Sequence, residues 1–201
     1  MTNQSFIVDL TMRTKDSSKK EAIFDATLRL ITERGFHDTP TALIAKEAGI
    51  ASGTLYLYFA SKEKLLNQLY LNVKQNLTAA VMAGYTAELT LQEGLELVWR
   101  NFLNHCLANP VAFAFIEQFE NSPLLDQATL AMGGEIFQPV YNLIAEAKAR
   151  KVIKDIPTNL LTYLFFIPMA YFVKQHFKLQ ATPSQADITT LFQGCWNAIK
   201  R

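Results

Sequence analysis

Apolar side chains recur every third or fourth residue along nearly the whole chain, and no segment alternates apolar and polar residues long enough to make a strand. That period excludes sheet architectures and predicts an all-α fold of about nine helices. Ser18 to Arg34 carries Ile23, Ala26, Leu30 and Ile31 in one stripe and then meets Gly35, a helix-stopping residue. Thr39-Pro40 reads as a threonine N-cap with proline at the first helical position, opening a short helix that ends at Gly49. Ser52 to Phe59 forms a third helix. Ser61-Lys62-Glu63-Lys64 opens a fourth, whose Leu66, Leu69, Val73 and Leu77 share a face.

Thr90 to Glu93 is a capping box before the stripe Leu91, Leu95, Val98, Trp99, Phe102, Cys106. Asn109-Pro110 repeats the cap-then-proline device, and the helix it opens stops before Ser122-Pro123, because a residue preceding proline resists the α conformation. Gly133-Gly134 and Pro139 make 126–150 one irregular helix or two joined pieces. Pro157 introduces a helix to about Lys178, interrupted by Pro168. Thr182-Pro-Ser-Gln185 reads as a capping box before Ile188, Leu191, Phe192, Cys195, Trp196 and Ile199.

Half of the 201 residues are apolar and 18% are charged, which places the chain among globular folds. A net charge of +1 excludes a uniform basic coat, so any nucleic-acid role requires a local surface. Met1 to Lys74 holds ten basic and eight acidic side chains, a small excess of that kind. The N-terminus lacks a basic segment leading into an apolar run, as a secretory signal would have, which points to a cytoplasmic protein. The longest apolar stretch, Leu160 to Val173, falls short of the roughly 20 residues of a bilayer span, so no membrane association is expected. Cys106 and Cys195 are too few for a disulfide framework. His37, His105 and His176 share no metal-ligand spacing. No nucleophile–base pair or phosphate loop is present, so neither catalytic residues nor a cofactor are expected.

The stretch TPTALIAKEAGIASGTLYLYF, Thr39 to Phe59, has the logic of a helix-turn-helix. Ile44 and Ala45 point inward, Ala48 permits close approach, and Gly49 supplies a left-handed turn. Leu55 and Phe59 anchor the second helix, leaving Ser52, Gly53, Thr54, Tyr56, Leu57 and Tyr58 on its outer face. Small, hydroxyl-bearing and aromatic side chains of this kind suit a DNA groove.

With Gly35-Phe36, Thr39, Ile44-Ala45, Ala48-Gly49, Gly53-Thr54-Leu55-Tyr56, Tyr58-Phe59 and Ser61-Lys62-Glu63, the segment Lys20 to Leu66 resembles the DNA-binding part of the TetR family of bacterial transcriptional regulators. Two positions depart from that pattern: Ala51 replaces the frequent serine before the recognition helix, and Pro40 replaces a hydroxyl residue. The resemblance implies that Ser52, Gly53 and Thr54 meet base edges, with Leu57 on the same face. It implies phosphate contacts from Thr39, Thr41, Tyr56, Tyr58 and Lys62, the last beside the positive end of the fourth helix.

The implied organisation is a flexible N-terminal arm over 1–17, the helix-turn-helix domain over 18–64, a connecting helix over 65–82, and a ligand-binding and dimerisation domain over 83–201. Ten of the fourteen phenylalanines lie beyond residue 100. In the resembled family this half binds a small molecule that releases the repressor from its operator. The lining expected here is Phe102, His105, Phe113, Phe115, Gln118, Phe119, Phe137, Tyr141, Asn142, Tyr163 and Phe166, with ordinary core packing as the competing reading for each aromatic. The family also pairs its last two helices across a two-fold axis, which puts Tyr171, Ile188, Leu191, Phe192, Cys195 and Ile199 at a homodimer interface, against burial within the same chain. The implied partners are a palindromic double-stranded operator, an apolar or aromatic effector and a second copy of the chain. A thiol-responsive regulator, a DNA-independent helical adaptor and an enzyme stand as alternatives.

Overall fold

The computed structural model describes residues 3–201, with side chains from Ser18 onward. The arm expected over 1–17 lies outside the described side chains. Among the described residues there are ten helices and no strand: α1 (Asn3–Arg34), α2 (Thr41–Glu47), α3 (Ser52–Tyr58), α4 (Lys62–Val81), α5 (Leu91–Ala108), α6 (Pro110–Glu120), α7 (Gln127–Ile136), α8 (Gln138–Ala149), α9 (Thr158–Leu179) and α10 (Gln185–Ile199). The tenth arises because 126–150 divides at Phe137, leaving Pro139 in the first turn of α8, where its missing N–H costs nothing. None of these helices is long and apolar enough to cross a membrane.

The chain forms two compact units. The first comprises Met1–Tyr70 together with Ala114–Asp126. Its core takes Ile23, Ala26, Leu30 and Ile31 from α1, Ile44 and Ala45 from α2, and Leu55 from α3. Leu65, Leu66 and Leu69 of α4 complete it. Gly49 at φ +68 closes α2: Ile50 N–H bonds the Ala45 carbonyl at 2.9 Å and Gly49 N–H bonds Lys46 at 3.1 Å, which satisfies the last carbonyls while the chain reverses.

The start of α2 differs from expectation. Pro40 is the N-cap and makes no side-chain cap. Thr39 instead turns its hydroxyl back to α1, 2.8 Å from the Gly35 carbonyl and 3.3 Å from that of Leu30. The Gly35 carbonyl, just past the end of α1, takes the hydroxyl, and the Leu43 and Ile44 N–H groups of α2 bond the Pro40 carbonyl at 3.0 and 3.2 Å instead of a threonine cap.

A segment from beyond the helix-turn-helix completes this unit. Phe115 and Phe119 stack at 5.3 Å, and Phe119 lies 5.6 Å from Phe36 and 5.8 Å from Tyr70. The Asn67 side chain, buried on α4, donates to the Leu124 carbonyl at 2.9 Å and to Glu63 at 2.8 Å, and accepts from Asp126 N–H at 3.1 Å. The Tyr70 hydroxyl donates to Glu120 at 2.9 Å.

The second unit comprises Leu71–Phe113 and Gln127–Arg201. It is built around Trp99, fully buried, whose indole N–H donates to the Phe165 carbonyl at 2.8 Å and whose ring lies 5.3 Å from Phe192. The capping box at Thr90 and Glu93 forms as expected. The box expected at Thr182 does not form; a simple N-cap lies two residues later, where the Ser184 hydroxyl accepts from Asp187 N–H at 3.1 Å and donates to its carboxylate at 2.6 Å. Pro183 explains the shift, since the residue before a proline is biased away from helix but the serine after it is free to cap.

Candidate nucleic-acid interface

The outer face of α3 is open. Tyr56 is 53% exposed and Leu57 84%, Ser52 and Gly53 lie on the surface, and Thr54 and Tyr58 are half-buried. Nothing comes within 4 Å of a Cβ built on Gly53, so its absence of side chain is not a packing requirement of the described residues. Ala51 is the extended N-cap and supplies no side-chain hydrogen bond, so the first N–H groups of α3 point outward without a protein cap. Leu55, fully buried, fixes the rotation of this short helix, and Phe59 seals its end, its N–H bonding the Leu55 carbonyl at 3.0 Å.

Of the residues expected to meet phosphates, Thr41 and Tyr56 are brought together, their hydroxyls 2.9 Å apart at the surface. Thr39 is fully buried with its hydroxyl engaged as described, which corrects its expected role from phosphate donor to tie between α1 and α2. Lys62, half-buried, donates from its ammonium to the Phe36 carbonyl, and this fixes the cation beside the first turn of α4 with further N–H groups to spare. Ser61 caps that turn, accepting from Lys64 N–H at 3.2 Å. Hydrogen bonds from Ser61 and from its own backbone hold the Glu63 carboxyl below the usual carboxylate range.

The expected effector lining does not come together as one group. Phe115, Phe119 and Gln118 belong to the first unit, where both phenylalanines are core, because the end of α6 packs among Phe36 and Tyr70. Phe102, Phe137, Tyr141 and Phe166 do cluster in the second unit, with centroid separations of 5.4 to 6.1 Å, and the Lys74 ammonium sits 5.1 Å above the Phe137 ring. His105, on the helix that carries Phe102, is held below the ordinary histidine value by burial. Phe113 pairs with Phe177 at 6.1 Å. Asn142 is exposed and bonded to Gln138, and Tyr163 lies on the surface of α9.

The expected dimer residues are likewise redistributed. Ile188, Phe192, Cys195 and Ile199 are 5% exposed or less, buried against their own chain, and Leu191 is half-buried; only Tyr171 is freely exposed. A different apolar stripe faces outward on α9: Leu160, Tyr163, Leu164, Ile167 and Tyr171, each 41–62% exposed. The sequence signal for it was that α9 is apolar on all sides, more apolar surface than one buried face takes up. Among the described residues no group of His, Cys, Asp or Glu is placed to hold a metal ion.

Two family models match this chain. Residues 23–69 match the model of bacterial regulatory proteins of the tetR family, and residues 91–200 match a tetracyclin repressor-like C-terminal domain. Over 112 residues the chain is 31% identical to an uncharacterized HTH-type transcriptional regulator of Haemophilus influenzae, and over 98 residues 34% identical to a fatty acid metabolism regulator protein of Bacillus subtilis. These alignments take in 56% and 49% of this chain and 60% and 50% of those relatives. Among solved structures, a TetR family transcription regulator from Marinobacter aquaeolei superposes with a TM-score of 0.87 at 28% identity, covering 94% of this chain and all of that one. One from Shewanella gives 0.78 at 33%, covering 91% and 98%. Since the C-terminal match alone spans more than half of the sequence and the N-terminal match contains the open α3 face, the chain belongs to the TetR family of DNA-binding transcriptional regulators.

Proposed function

We propose that the protein is a homodimeric, cytoplasmic repressor that reads a palindromic operator through α3 and is released by an apolar or aromatic small molecule bound in its second unit. The observation that carries the reading is the α3 surface: Ser52, Gly53, Tyr56 and Leu57 exposed on a helix whose opposite side is pinned by a fully buried Leu55. A side-chain set of that kind positions against phosphates through hydroxyls and reaches base edges through small residues and an apolar tip. Selection of bound duplexes from a random pool, followed by titration of the winning site, tests it. A two-fold symmetric consensus supports the proposal, and an asymmetric consensus or none contradicts it.

The stripe on α9 supports the homodimer. Contiguous exposed apolar side chains invite cover, and two copies related by a two-fold axis cover the same patch on each. Release by ligand rests on the chain path, because α6 begins in the second unit at Pro110 and ends in the first. A ligand that favours a different placement of α6 in the aromatic unit thereby changes the population of DNA-competent first units, provided it binds the two states unequally. Cys106 and Cys195 are both buried, and burial pushes the Cys195 thiol up, which favours this scheme over thiol sensing.

A further inference from the structure

A cavity of about 790 Å³ opens in the second unit beside the junction of α8 and α9. Its walls carry the Lys148, Lys151, Lys154 and Arg201 side chains, with Asp155 the one acidic side chain among them. In a chain whose net charge is +1, four cations around one opening concentrate a positive field that surface averaging would not produce. We propose that this cleft binds a small soluble anion bearing two phosphoryl groups. Nothing in the DNA-reading or effector scheme above uses it.

Three observations separate the cleft from a run of solvated lysines. The backbone that bears the cations is clamped: Lys154 N–H donates to the Ile199 carbonyl at 2.8 Å and Arg201 N–H to Val152 at 3.2 Å, around an isolated antiparallel bridge between Ile153 and Lys200. Ile153 beneath them is buried, so the frame is anchored in the core. Lys151 holds φ +59, the left-handed position that closes α8 through Val152 N–H to the Ala147 carbonyl at 2.9 Å, which fixes the backbone from which its side chain lines the cleft. Two ammonium groups are oriented in advance: Lys148 lies 3.0 Å from Asp155 and donates to the Ile156 carbonyl at 2.9 Å, and Lys154 donates to Ala198 at 2.7 Å. Each retains N–H groups for a ligand.

Asp155 is 89% exposed and is displaced from Lys148 by a more highly charged oxyanion at little cost. Four cations lining one opening neutralise the several charges of two phosphoryl groups better than the single charge of a halide or carboxylate.

The test is calorimetric titration of the full chain with inorganic pyrophosphate at low ionic strength, in wild type and in Lys151→Gly, Arg201→Ala and Arg150→Ala. The glycine variant removes the amine while relieving the left-handed backbone, so its melting temperature stays level or rises and misfolding does not explain a loss. The expected result is saturable binding, weakened about fivefold or more by Lys151→Gly and by Arg201→Ala, and unchanged by Arg150→Ala, whose guanidinium pairs with Glu146 at 2.8 Å and does not line the cleft. Absence of saturable binding overturns the proposal, as does equal binding by Lys151→Gly or an equal loss with Arg150→Ala. Phosphatidylglycerol vesicles and a random DNA duplex are the remaining arms. Lys151-dependent binding to either without binding of free pyrophosphate overturns it in favour of a lipid or nucleic-acid surface.

Discussion

Thr41 on α2 and Tyr56 on α3, fifteen residues apart, share a hydrogen bond of 2.9 Å between their hydroxyls at the protein surface. The pair ties the two helices of the turn together from outside, while Ile44, Ala45 and Leu55 tie them from within. Whichever hydroxyl accepts within the pair keeps its own O–H to donate to a phosphate oxygen, a position that needs both partners. Tyr56→Phe, which keeps the ring and loses that position, is expected to weaken operator binding about tenfold with the melting temperature little changed, measured by fluorescence anisotropy at fixed salt and by circular dichroism.

Thr39 gives the opposite signature. Its hydroxyl is buried and bonded to the carbonyl of Gly35. Thr39→Val keeps the shape and orphans that carbonyl, so a loss of about 1–3 kcal/mol in unfolding free energy is expected from urea melts. DNA affinity well below the transition should hold within about twofold, as expected for a residue without direct phosphate contact.

Asn67 distinguishes a structural tie from a surface ornament. Its side chain makes hydrogen bonds to Glu63, Leu124 and Asp126 while only 4% exposed. Asn67→Leu removes all three side-chain bonds, the two to Leu124 and Asp126 spanning more than fifty residues, and should cost about 2–4 kcal/mol. Thermal melting that shows no loss would mean the 114–126 segment is not held to the first unit in this way.

The assembly is tested on α9. Ile167→Glu places a charge in the exposed stripe and is expected to convert a dimer to a monomer in sedimentation, with helicity retained. Phe192→Ala, inside the core beside Trp99, should instead destabilise the fold by about 3–5 kcal/mol. If Ile167→Glu sediments as wild type, the dimer does not use this stripe.

Acid sensitivity follows from the capping box. Hydrogen bonds from the Thr90 side chain, and then from its backbone, hold the Glu93 carboxyl below the usual range. A folded-state pKa below the unfolded one contributes stability above the unfolded value, near pH 4.5, and that stability is lost as pH falls through the folded value. Thr90→Ala removes the first cause, so the gap in melting temperature between wild type and variant should be largest near neutral pH and close as the pH is lowered past that range.

What could be read in advance was local. Period, caps and prolines located the helices because each signal acts within one or two turns, and the α3 surface followed from Leu55 and Phe59 facing the core. What escaped was long-range. Nothing near Phe115 and Phe119 announces that they pack with Phe36, and a buried stripe on α10 looks the same in sequence whether its own chain or a partner covers it. Thr39 was misplaced because a hydroxyl before a proline serves equally well as a cap forward or a tie backward, and here it bonds backward to the Gly35 carbonyl past the end of α1.

DNA reading by the α3 surface is tested most directly by Gly53→Glu. An acid in the first turn of a helix is favourable, and the site has open space, so the variant should melt at or above the wild-type temperature. Titrated against the selected operator, it should bind at least about a hundredfold more weakly, because a carboxylate then faces phosphates and base edges. Wild-type affinity in a folded Gly53→Glu protein would contradict the account.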